Sequence, residues 1–308
     1  MSSSFKDFNR ATLDELSIAE RQAALSAVFT KMADGTSPAA NKAFAHLVGS
    51  FKPESPHYLD QDYVPSTVFA KEKVQWGIDL VMSMARVKGY LNAIRNEPSP
   101  GRAIDAGSGS TALLGLGIRI FHPSVEEVLC IEIDPDAADV SRELLAYTGF
   151  NDRVQVLTAN VMRTNVGRAD LGVTETFDTA LKYERGYEIA NRLGLTCARI
   201  LPRYARIHVS EDRDTAGGWQ VASLIDFKQP VQDVKGRFTR YDPDSSALFA
   251  WSELLNEEGV PLIKLDEDSV SYASQVCEIS RAIAVGSVAE FSYPSGRMLG
   301  LPGKVKAL

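Results

Sequence analysis

Ala103-Ile104-Asp105-Ala106-Gly107-Ser108-Gly109-Ser110-Thr111 reads as a short apolar strand that turns sharply into a helix. Glycines at such a turn let a ligand come close to the backbone and aim free amides at it. Downstream, short apolar runs alternate with helical stretches. A strand over 103–105 is followed by a helix over 111–121, a strand over 125–133 and a helix from about 136 to 147. Further strands are expected over 153–157, 177–182 and 206–210, with a helix over 188–201. Strand–helix alternation of this kind builds a mostly parallel, Rossmann-like α/β sheet with helices on both faces.

Upstream, residues 1–100 read as a helical extension. Thr12-Leu13-Asp14-Glu15 fits a capping box, and apolar residues repeat at helical spacing from Leu16 to Met32. A shorter helix is expected over 41–48. Pro53, Pro56 and Pro65 break the stretch that follows, and a long helix then runs from Ser66 or Thr67 to Arg95. Tyr58, Tyr63, Phe69 and Trp76 in this part are candidates for a lid. Past Gly217-Gly218, residues 213–308 read as a β-rich appendage with one helix, ALFAWSELLNEEG, ending on Gly259. The expected organisation is a lid over 1–100, a ligand-binding domain over 101–212 and the appendage over 213–308.

The composition narrows the partners. The 308 residues carry 33 Lys and Arg against 40 Asp and Glu, a net charge of −7. Gripping a phosphate backbone calls for the opposite sign, so nucleic acid is not an expected partner. Cys130, Cys197 and Cys277 form no CxxC pair and sit in apolar runs, as buried thiols of a reducing, cytoplasmic compartment do. His46, His57, His122 and His208 lack ligand spacing, so no metal is expected. The polar start MSSSFKDFNR is not followed by a signal-type apolar core, and no run approaches the ~20 apolar residues of a membrane span.

The strand ends carry the chemistry. Glu132 closes the second strand in Cys130-Ile131-Glu132-Ile133-Asp134-Pro135, where a carboxylate can accept both hydroxyls of a ribose. The third strand ends in Thr158-Ala159-Asn160, whose amide can read an adenine edge. The run AIDAGSGST, CIEIDP and VQVLTAN resembles the first three signatures of class I S-adenosylmethionine-dependent methyltransferases. That resemblance implies S-adenosylmethionine as cofactor. Asp105, Gly107 and Gly109 would serve the methionine part, Glu132 the ribose and Asn160 the adenine amino group, although the family often has Asp at that last position.

A weaker similarity, from about Tyr63 to Asp212, is to the protein arginine methyltransferases, which clamp a guanidinium with two glutamates on a loop after the fourth strand. Here Glu184 falls near the first, Glu188 follows four residues later, and the loop for a second is largely missing. Arginine in protein is therefore not the expected acceptor.

Lys182-Tyr183-Glu184, at the end of the expected fourth strand, supplies the candidate catalytic residues. Glu184 can act as base or orient an amine, and Tyr183 can lay its ring on a sulfonium. The leading expectation is methyl transfer to a small molecule of specialised metabolism. An alternative is cyclisation of S-adenosylmethionine to azetidine-2-carboxylate with release of methylthioadenosine. A second alternative is a non-catalytic cofactor-binding scaffold. The C-terminal part is expected to complete the active site, to form a homodimer contact, or both.

Overall fold

The computed structural model describes residues 5, 8–51, 73–176, 186–210, 220–229, 234–239, 248–262, 277–280, 288–293 and 306–307. The chain packs as two units, Met1–Val166 and Gly167–Leu308.

The first unit opens with α1 (Arg10–Asp14), α2 (Ile18–Asp34) and α3 (Pro38–Gly49). The capping box at Thr12 belongs to α1, with Asn9 as cap and Thr12 as its third helical residue. The long helix has its own box, Ser17 with Glu20, so it begins at Ile18 and not at Leu16. It stops on Gly35, which takes the left-handed conformation at φ 64°. The long helix expected up to Arg95 is, in its described part, two helices, α4 (Lys73–Val81) and α5 (Met84–Asn96). Phe29, Phe44, Tyr90, Leu91 and Ile94 are buried in the core of these helices.

Three strands follow with their helices: β1 (Arg102–Ala106), α6 (Leu113–Phe121), β2 (Glu127–Glu132), α7 (Pro135–Thr148) and β3 (Val154–Thr158). β1 pairs in parallel with β2, and β2 with β3. β1 is buried almost throughout because helices must cover both faces of a parallel sheet. At the outer edge, Gln155 and Leu157 of β3 stay exposed, and Arg142 of α7 caps that edge by donating to the Val156 carbonyl.

The second unit begins with β4 (Ala169–Thr174), α8 (Gly186–Thr196) and β5 (Cys197–Leu201), with β4 and β5 parallel. The parallel strands run in the order β3-β2-β1 in the first unit, and β4 lies beside β5 in the second. β6 (Tyr204–Ser210), β7 (Gln220–Asp226), β9 (Leu248–Leu255) and β10 (Cys277–Ser280) form an antiparallel sheet ordered β10-β9-β6-β7. β8 (Val234–Thr239), β11 (Val288–Tyr293) and β12 (Lys306–Ala307) form a third sheet. The β-rich C-terminal part is thus present.

Three readings of this half need correction. The helix expected over 188–201 stops at Thr196, and its last five residues are β5. The strand at 206–210 is β6, which lies in the antiparallel sheet rather than the parallel one. The described part of ALFAWSELL is not a helix: residues 248–255 form β9, paired with β6 over Phe249–Leu255. Leu, Ala and Glu favour a helix locally, and ladder pairing overrides that preference. The strand expected over 177–182 lies outside the described residues, as do Tyr58, Tyr63 and Phe69.

Candidate functional site

The glycine turn after β1 is built as its residues demand. Gly107 and Gly109 take φ of 76° and 62°, a region open to glycine at little cost. The Gly107 and Ser108 amides donate to the Ile131 carbonyl at 2.8 and 3.2 Å, which folds the turn over the end of β2. Gly109 is held on both sides of its own backbone. Its N–H donates to Glu132 Oε2 at 2.8 Å, and its carbonyl accepts from the buried Ser141 hydroxyl of α7 at 2.7 Å. A Cβ built at Gly109 meets nothing within 4 Å among the described residues, which leaves room there for an approaching group.

Glu132 is buried and accepts one backbone N–H on each oxygen: Gly109 on Oε2, and Asp134 on Oε1 at 2.9 Å. Each carboxylate oxygen has a second lone pair, so two acceptor positions remain for hydroxyl donors. Ile133, the next residue, is 59% exposed, which places a large apolar side chain in solvent beside that carboxylate. Asp134 is occupied structurally, capping α7 by accepting from Ala137 N at 3.0 Å.

The end of β3 comes to the same place. Glu132 pairs with Thr158, and the Glu132 carbonyl accepts from Ala159 N at 2.8 Å. Two residues past Thr158, Asn160 is half-buried and starts a turn. Its Oδ1 accepts from Met162 N at 2.9 Å, and its carbonyl accepts from Arg163 and Thr164 N at 2.9 and 3.0 Å. Gly107, Gly109, Glu132 and Asn160 are therefore gathered at the carboxyl ends of adjacent strands, where open α/β sheets bind ligands.

Asp105 plays a more internal part. It is 1% exposed, and its Oδ2 accepts from Gly115 N in the first turn of α6 at 2.9 Å. Cys130 Sγ lies 3.9 Å from the same oxygen. Burial, with the Asp105 charge and hydrogen bond behind it, holds the Cys130 thiol well above its ordinary pKa. A Cβ at Gly115 would meet Cys130 Sγ at 2.3 Å, so glycine there lets α6 close on the strand ends.

Tyr183 and Glu184 lie outside the described residues. The strand sequence reasoning placed just before them is preceded by one it missed. β4 ends at Thr174, so the residue at its carboxyl end is half-buried Glu175. Residues 175–185 separate β4 from α8, and Glu175 and Glu184 both fall in that interval. Two of the histidines serve elsewhere: His122 Nε2 is 2.8 Å from the Ile94 carbonyl, and His208 Nε2 is 3.1 Å from Glu253, which also accepts from Arg206 at 2.9 Å. Among the described residues no group of three or more His, Cys, Asp or Glu could hold a metal, and no helix is long and apolar enough to cross a membrane.

The chain has the α/β fold of the protein arginine methyltransferases. Protein arginine methyltransferase 10 of Arabidopsis thaliana superposes with a TM-score of 0.52 at 11% identity, covering 70% of this chain and 85% of that one. The PRMT1 enzyme–prozyme heterotetrameric complex of Trypanosoma brucei, solved with AdoHcy, gives 0.56 at 14%, covering 74% and 90%. PRMT6 with SAH gives 0.53 at 12%, covering 73% and 97%. An uncharacterised protein of Methanocaldococcus jannaschii is 27% identical over 121 residues, 39% of this chain and 45% of that protein, so the chain spans under half the length of this relative. No family model matches the chain.

Proposed function

We propose that the chain is a cytoplasmic S-adenosylmethionine-dependent methyltransferase acting on a small molecule that carries a basic nitrogen. The observation that carries the reading is Glu132, whose carboxylate holds the glycine turn by the Gly109 amide and keeps acceptor positions for a ribose beside it. The residues fit the cofactor. Gly107 and Gly109 leave room for its methionine part, with Asp105 holding α6 behind them. Glu132 takes the ribose hydroxyls, Ile133 offers an apolar face to adenine, and Asn160 takes its amino group. The two neighbours solved with AdoHcy or SAH support the same assignment. S-adenosylmethionine supplies a methyl carbon activated by a positive sulfonium. The protein's task is alignment and exclusion of water, with a base where the nucleophile carries a proton.

For the acceptor, Glu175 and Glu184 are the carboxylates of the β4–α8 interval, suited to orient a cationic nitrogen and take its proton. Tyr183 is assigned to the sulfonium. In this reading residues 1–100 form the lid, 101–212 carry the cofactor, and 213–308 complete the acceptor site or a homodimer contact.

A second reading, cyclisation with S-adenosylmethionine as sole substrate, is favoured by the packing of α4 directly on the glycine turn, which suits a sealed site. One experiment separates the two: incubate the purified chain with S-adenosylmethionine, alone and with a panel of small amines and guanidines, and identify the adenosine product by mass. S-adenosylhomocysteine formed only with an acceptor supports methyl transfer. Methylthioadenosine formed without one selects cyclisation. Calorimetry showing no binding of S-adenosylhomocysteine rejects both.

A further inference from the structure

Ser110 follows the glycine turn and is fully buried, and its hydroxyl bonds a different element: it donates to the Val74 carbonyl in the first turn of α4 at 2.8 Å. Gly77, one turn further along α4, packs against the same residue. A Cβ there would sit 2.5 Å from Ser110 Oγ and 3.2 Å from its backbone nitrogen. Val74, Gly77, Ile78 and Val81 form the buried face of α4, so the helix lays that face against the turn and its neighbours. Its other end is tied by Asn41 Nδ2, which donates to the Val81 carbonyl at 2.6 Å. Helices much shorter than ~12 residues do not hold alone in water, and α4 has 9. Its persistence depends on what it is fastened to.

We propose that Ser110 is a positioning residue that makes α4 part of the cofactor-binding element. Glu132 and Ser141 grip the Gly109 peptide on both sides, so a ligand that fixes the turn also fixes Ser110. Through the Ser110 hydroxyl it fixes the first turn of α4. The inference rests on reading the glycine turn as the S-adenosylmethionine site. Coupling of this kind is reciprocal: the factor by which ligand steadies α4 is the factor by which an attached α4 tightens ligand.

The test is hydrogen–deuterium exchange on the full chain with and without S-adenosylhomocysteine, beside calorimetry of the same ligand. In the unaltered chain, amides of residues 73–81 and of 107–115 are both expected to slow, the α4 amides by about tenfold, within the usual range of such couplings. Ser110→Ala is expected to keep the slowing at 107–115, to lose it at 73–81, and to bind S-adenosylhomocysteine more weakly by the same factor. A merely structural hydroxyl would lower stability and leave the ligand-dependent difference at α4 intact, which overturns the proposal. So does slowing confined to 107–115 in the unaltered chain. Absence of binding by the unaltered chain overturns instead the reading of the turn on which the proposal stands. Should Ser110→Ala fold poorly, Gly77→Ala crowds the same contact from the α4 side, and the double variant Gly77→Ala with Ser110→Ala removes the hydroxyl it strikes. Both are expected to lose ligand-dependent protection of α4, and its retention in either rejects the coupling.

Discussion

At the scale of single residues, Glu132 does two things that one substitution separates from charge. Its two oxygens each accept a backbone N–H, from Gly109 and from Asp134. Glutamine keeps the shape but offers only one acceptor oxygen, so one of those amides would face an NH2 group. Leaving a buried donor unmatched costs about 1–3 kcal/mol. Glu132→Gln is therefore expected to lose about 1–3 kcal/mol of stability in a urea titration and, with one acceptor oxygen fewer for a ribose, to bind S-adenosylhomocysteine more weakly. Calorimetry giving equal affinity for the two chains would remove Glu132 from the site. Cys130 allows a simpler check. Burial and the Asp105 carboxylate hold its thiol well above the ordinary cysteine range, so almost no thiolate is present at neutral pH. Cys130 is expected to resist a thiol-labelling reagent in the native chain and to react after denaturation, as peptide mass mapping would show. Ser108 is the counter-example, since its buried hydroxyl has no partner among the described residues and Ser108→Ala should leave stability unchanged or slightly raised.

At the scale of elements, close approach explains both what was legible and what was not. The turn at Gly107 and Gly109 and the acid at Glu132 were visible because positive φ and strand-end chemistry restrict residue type. β4 was not visible, because Asp170 and Gly172 read as strand breakers. Gly172 is there for packing: a Cβ on it would meet Cys197 Sγ at 2.8 Å and Leu193 Cβ at 3.2 Å, atoms of β5 and α8. That long-range contact has no local signature, so β4 and Glu175 at its carboxyl end are not legible from the sequence. β9 was missed for the converse reason, its local helix preference being overridden by pairing on two sides with β6 and β10. α8 offers a test in which two effects oppose. Gly→Ala inside a helix normally stabilises by about 1 kcal/mol. At Gly194 the added Cβ would lie 2.3 Å from the Phe227 carbonyl oxygen, a backbone atom, and overpacking of this kind costs about 1–3 kcal/mol. Gly194→Ala is therefore expected to destabilise the chain in a urea titration, and a gain in stability would show that α8 has room to shift.

At the scale of the first unit, its N-terminal helices are tied to α7 through Tyr147, and that tie makes a pH prediction. The Tyr147 hydroxyl donates to Asp14 Oδ1 at 2.9 Å and to the Arg10 carbonyl at 3.1 Å, while the Arg21 guanidinium lies 4.3 Å from its ring centroid. Burial, then the Asp14 hydrogen bond and charge, raise the phenol above its ordinary value near 10, against smaller lowering by Arg21 and Arg10. The folded chain thus favours the protonated phenol. Its contribution is complete below the unfolded pKa near 10 and declines as pH rises through the higher folded value. Thermal melts from pH 8 to 11 should show the unaltered chain losing stability over the alkaline end, and Tyr147→Phe, which cannot ionise, losing less over the same interval. Parallel curves would mean that the phenol ionises alike in both states and that the fastening of the N-terminal helices to α7 rests on Arg21 and Arg10. Those two side chains also donate to the Leu13 and Ser50 carbonyls, contacts that alkaline titration of a tyrosine leaves untouched.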